Sequence, residues 1–172
     1  AARAILRHPD VEVAILETAR GGILRRGLGV ERCDAAIVTN VAADHLGEYG
    51  VHDLTDMAVA KGLVYSIVRH DGYRVLNMDD ENVSVLAGLH HSPEFWFSQN
   101  GREGVGPHMD SGGAALFVEN GKIKLSKNRQ IQDVIELDDM PMAMGGAAKH
   151  DISNALAAIA LSISLHIELD PI

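Results

Sequence analysis

Cysteine occurs once in the 172 residues, at Cys33. A lone thiol can neither staple a fold nor build a cysteine-rich metal centre, and it points to a reducing compartment, so the expected location is cytoplasmic. Positive charge is also in short supply: 15 Lys and Arg stand against 24 Asp and Glu, a formal net charge of -9. That balance argues against nonspecific nucleic-acid binding, which needs a positive surplus facing the phosphates. Long apolar runs are missing too. The longest, residues 155–165, is interrupted by serine and is too short for a bilayer-spanning helix, which needs roughly 20 apolar residues. No basic-then-apolar stretch opens the sequence, and there is no internal repeat or low-complexity tract.

What is present fits one ordered globular domain, with 47% hydrophobic and 23% charged residues. Residues 2–7 read as the tail of a helix ended by Pro9. "VEVAILE" (11–17), "CDAAIVTN" (33–40) and "YRVLNMDD" (73–80) carry apolar runs suited to strands buried on both faces of a parallel sheet. A helix is expected over residues 54–69, a short one over 81–89 and a longer one after "GGAAKHD", with Ile152, Leu156, Ile159 and Ile163 on one face. "EFWFS" (94–98) reads as another strand, residues 101–113 as loop, and residues 114–127 as a hairpin turning at Asn120-Gly121, with 132–139 available to pair with it. The alternation predicts an α/β fold: a mostly parallel sheet flanked by helices, with a small antiparallel hairpin region.

Ligands of open parallel sheets sit beyond the carboxyl ends of the strands. That rule singles out Glu17, Thr39-Asn40 with the following Asp44-His45, and Asp79-Asp80. Glu17 introduces "TARGGILRRGLG", and Arg20, Arg25, Arg26 and Arg32 form the one dense basic cluster, the place for an anion on an acidic chain. Glu17 pairing with Arg20, and Asp44 capping a turn, are the plainer readings. Lys61 shares a helical stripe with Leu54, Met57, Tyr65 and Val68, so its amine must snorkel, pair or lose its charge. A neutral amine of this kind can take up carbon dioxide and become a carbamate, an oxygen ligand for Mg²⁺. His150 and Asn154 lie four apart on one face near the start of the last helix, where an anion or nucleotide binds well; capping by Asp151 and Ser153 is the alternative.

Five elements in order, "LETARGG", "VTNVAADHLGEYG", "AVAKGLV", "LNMDDENV" and "KHDISNALAAIA", resemble the central, ATP-binding domain of the Mur ligase superfamily, and within it the ligase module of the cyanophycin synthetase branch. The resemblance covers residues 2–165. It implies a P-loop NTPase-like domain that binds ATP and Mg²⁺, with Glu17 and His45 as metal ligands, Lys61 as the lysine carbamylated in many members, and His150 and Asn154 beside the adenosine. It implies amide formation through an acyl phosphate, the carboxylate being an aspartate side chain of polyaspartate and the amine that of arginine. Arg20 becomes a candidate catalytic contact to phosphate or substrate, alongside Lys61.

The pattern departs from the family in one respect. No G-x-x-G-K-[ST] loop is found: "GREGVG" lacks the lysine, and "GGAAKHD" ends in histidine. Residues 1–172 are therefore expected to be a fragment of a central domain, with the Walker-type loop upstream, the third domain downstream, and no ligase activity of its own; a homo-oligomer is compatible with the full-length protein. A non-catalytic Mur-like binding domain is the first alternative. A metal-dependent hydrolase is the second, although H-E-x-x-H is absent and His90-His91 are adjacent in sequence, not a helical turn apart.

Overall fold

The computed structural model describes residues 2–43 and 46–168. Its centre is a six-stranded sheet in the order β1-β2-β3-β4-β5-β6, built from Cys33–Val38, Val68–Asn77, Glu94–Ser98, Ala114–Glu119, Lys122–Lys127 and Gln130–Glu136. The first four strands run parallel, and β5 and β6 continue the sheet antiparallel. The helices are α1 (Ala2–Ile5), α2 (Arg20–Arg26), α3 (Leu54–Gly62), α4 (Glu81–Ser84), α5 (Arg102–Asp110) and α6 (Lys149–Ser164).

Side chains of successive strand residues point to opposite faces, so the sheet has two cores. On one face, Val75, Phe95, Phe97, Leu116 and Ile123 pack against Ile152, Leu156, Ile159 and Ile163 of α6, the stripe expected from the sequence. On the other, Leu76, Trp96 and Phe117 meet Met57 and Ala60 of α3, Val83 at α4, and Val105 and Met109 of α5. The result is the helix–sheet–helix sandwich that parallel strands require. The Asn120-Gly121 turn is also as expected: both residues have positive φ, 53° and 75°, the pair needed by a tight two-residue hairpin.

Three sequence expectations are corrected. Residues 11–17 form no strand. Val13 and Ile15 are exposed, 51% and 79%, because no strand pairs with this segment and the outer edge of β1 carries no neighbour among the described residues. An apolar run without a partner for its backbone N–H and C=O groups has no ladder to join. Residues 101–113 are not loop: α5 occupies most of them despite Gly104, Gly106 and Pro107, because Val105 and Met109, four apart, are anchored in the core. Finally, α3 stops at Gly62, residues 63–67 tighten into a 3-10 turn, and β2 begins at Val68, where a helix was expected to run on to residue 69.

Candidate functional site at the carboxyl edge of the sheet

Beyond Val38 the chain leaves β1 as Thr39, Asn40 and Val41, and three side chains from three other elements grip these residues in turn. Asn77, at the end of β2, donates from Nδ2 to the Thr39 carbonyl at 2.8 Å. Lys61, on α3, donates from Nζ to the Asn40 carbonyl at 2.9 Å. Asp80, ahead of α4, accepts from the Val41 N–H at 2.7 Å. Its other oxygen caps α4 by accepting from the Asn82 and Val83 amides. Asp79 ties the ends of β2 and β3 together, accepting from the Ser98 hydroxyl at 2.6 Å and the Gln99 N–H at 2.7 Å. Beneath them the buried Tyr65 hydroxyl accepts from the Val38 N–H and donates to the Val75 carbonyl, so it bridges β1 and β2. Burial pushes the Tyr65 phenol well above its ordinary pKa, and the group stays a neutral donor.

This framework sorts the residues named from the sequence. Asp79 and Asp80 are structural, since every oxygen of both carboxylates already accepts from protein. Lys61 is half-buried and resolves its place on the apolar stripe by pairing its ammonium with a backbone carbonyl at the strand end. Glu17 lies on the irregular segment before α2, is exposed, and takes part in no hydrogen bond or ion pair among the described residues. Asp44 and His45 lie outside the described residues.

The arginine cluster divides. Arg20 opens α2 with a side chain only 11% exposed and reaches Glu48 at 3.2 Å, so its ion pair among the described residues is with Glu48. Arg25 stacks over the Tyr49 ring, 4.6 Å from its centroid. Two arginines of α2 thereby hold the loop that follows His45. Arg32 lies elsewhere, in an open cleft with Cys33 and Arg69 at the other end of the strands. Burial, then the neighbouring Asp34, push the Cys33 thiol up, which makes it a poor nucleophile.

His150 and Asn154 are both exposed, one turn apart on α6. The residue before this helix, Ala148, offers no side-chain cap, and neither Asp151 nor Ser153 takes that place. His90 and His91 sit on the turn before β3, where the His90 carbonyl accepts from buried Arg74. Among the described residues no three His, Cys, Asp or Glu side chains gather as a metal-binding group. Asn77, Tyr65 and Glu48 were not singled out from sequence. Of these only Asn77 left a signal, a polar side chain closing the apolar run "RVLN".

Residues 3–162 match the Mur ligase middle domain family. The chain belongs to that family. It is 42% identical over 169 residues to the cyanophycin synthetase of Crocosphaera subtropica, covering 98% of this chain and 19% of the relative. It is 28% identical over 167 residues to the UDP-N-acetylmuramoyl-tripeptide--D-alanyl-D-alanine ligase of Escherichia coli, covering 95% of this chain and 34% of that enzyme. Among solved structures it is similar to MurF from Acinetobacter baumannii, with a TM-score of 0.48 and 19% identity over 80% of this chain and 27% of that one. The chain thus spans about a fifth of the length of the cyanophycin synthetases it matches. In this Mur ligase middle domain Thr39–Val41 is held at the carboxyl edge by Asn77, Lys61 and Asp80. No helix among the described residues is long and apolar enough to cross a membrane.

Proposed function

We propose that this Mur ligase middle domain works inside an ATP-dependent carboxylate–amine ligase, and specifically one that joins arginine to aspartate side chains of a polyaspartate chain. The observation that carries the reading is the contrast in identity: 40–43% to five cyanophycin synthetases, against 28–33% to three UDP-N-acetylmuramoyl-type ligases. The chain spans about a fifth of the length of these cyanophycin synthetases, so the activity is proposed for the whole protein.

The chemistry of the proposed donors suits a magnesium–nucleotide complex. With Asp79 and Asp80 occupied, Glu17 is a carboxylate whose oxygens are free of protein partners among the described residues. A hard cation prefers such an oxygen donor, and His45 and Lys61 complete the proposed ligand set, Lys61 only as a carbamate, since its ammonium has no lone pair to give. When bound, magnesium supplies neutralisation of phosphate charge. Lys61 is tethered to the strand end through the Asn40 carbonyl. Arg20, pinned by Glu48, presents a guanidinium with little freedom left to lose on binding an anion. The exposed His150 and Asn154, at the uncapped start of α6, are assigned to the adenosine end.

The test is ATP-dependent incorporation of arginine into polyaspartate by the full-length protein. Glu17→Gln and Lys61→Ala are each expected to lower the rate by about 100-fold or more, as loss of a phosphate-stabilising group does. Asn154→Ala is expected to raise the KM for ATP. Wild-type rates in the first two variants overturn the site assignment. Incorporation of another amino acid in place of arginine overturns the substrate assignment and leaves the ligase assignment standing.

A further inference from the structure

At the opposite edge of the sheet, where β4 starts and β5 turns into β6, a cavity of about 140 Å³ opens between α5 and the second hairpin. Arg102, Met109, Asp110, Ser126, Arg129 and Ile131 line it. We infer that it is a binding site for a small oxyanion, a phosphate or a carboxylate, held by the Arg102 and Arg129 guanidiniums and the Ser126 hydroxyl.

Three observations carry this. The Ser126 side chain is buried, 1% exposed, and its hydroxyl has no hydrogen-bond partner in the protein. Buried hydroxyls are rarely left without one, and because Ser126 lines this cavity, an acceptor bound there is assigned as its partner. The charges also favour an anion. Arg129 donates from Nε to the Asp110 carbonyl at 3.1 Å, which orients the guanidinium and leaves its terminal N–H groups available. Arg102 lies 3.8 Å from the Asp110 carboxylate, too long for a direct hydrogen bond, so two cations face one exposed anion.

The third observation is the turn itself. Both hairpins of this sheet close on two residues with positive φ. The first uses Asn120-Gly121, the usual solution. The second uses Asn128-Arg129, with φ of 53° and 64°. An arginine stands where the backbone favours glycine, and it is the arginine that reaches the cavity. The strained position is explained if the guanidinium is the reason for keeping it.

The experiment is an amide-resolved NMR titration of the chain with sodium phosphate and, separately, sodium acetate at constant ionic strength. Saturable shifts centred on Arg102, Ser126, Arg129 and Ile131 are expected. Phosphate alone producing them assigns a phosphate site, and both salts producing them assigns a general oxyanion site that accepts carboxylates. Arg129→Gly relaxes the turn, so it should melt no lower than wild type while binding at least about tenfold more weakly. Ser126→Ala removes a buried, unpartnered hydroxyl and should weaken binding without loss of stability. No saturable shift with either salt, or undiminished titration of Arg129→Gly, overturns the inference.

Discussion

Residues 11–17 and residues 73–77 look alike on paper and end up in opposite circumstances. Both are runs of Val, Ile or Leu of the kind parallel sheets bury. In β2, Val75 and Leu76 are fully buried, with β1 on one side and β3 on the other. In the earlier run Ile15 is among the most exposed apolar residues in the molecule. Hydropathy states what a segment gains by being covered; whether it is covered depends on backbone partners supplied from elsewhere.

That contrast can be broken most severely at the β1–β2 seam. Between the pairs Cys33–Val68 and Ala35–Tyr73, β2 bulges outward, and Gly72 returns so close to β1 that a Cβ there would collide with the Asp34 carbonyl. Gly72→Val must push the strands apart, and urea unfolding should show a loss of about 4 kcal/mol or more. Next comes Leu76→Ala, which empties a sealed position and should cost about 3 kcal/mol by the same measurement. Tyr65→Phe keeps the ring and deletes the hydroxyl between the Val38 N–H and the Val75 carbonyl. It should cost about 1–3 kcal/mol, with faster hydrogen exchange at the Val38 amide. At the small end, Ile15→Ser should change stability by less than about 0.5 kcal/mol, because the side chain is already in water. A loss as large as that of Leu76→Ala would show that residues 11–17 are covered in solution.

The sheet was largely readable in advance, and the reasons are local. β1, β2 and β3 pair consistent apolar runs with neighbours contributed by this same stretch of chain, and the Asn120-Gly121 turn fixes the register of the first hairpin. The turn at Asn128-Arg129 gave no such signal, since nothing in the residue type announces positive φ. α5 was hidden by its glycines and proline, whose helix-breaking tendency is overridden by the burial of Val105 and Met109.

At the site, Lys61 was marked by an amine on an apolar stripe. Its partner, the carbonyl of Asn40, belongs to the backbone and cannot be read from side-chain identity. Asp79 and Asp80 looked like ligands because they are acids at a strand end; only the positions of the Val41 and Gln99 amides reveal them as ties between strand ends. Arg20 finds its acid 28 residues away at Glu48, a separation that no local pattern covers.

The central proposal is that Glu17, His45 and Lys61 together hold a divalent cation. Paramagnetic broadening by Mn²⁺, followed residue by residue in the isotope-labelled chain, tests it most directly. The account predicts that signals of residues 16–18, 44–48 and Lys61 disappear first, and that Glu17→Gln abolishes the effect. Broadening that is strongest at the acidic side chains of the second hairpin, Asp133 and Glu136, or that is unchanged in Glu17→Gln, would contradict it.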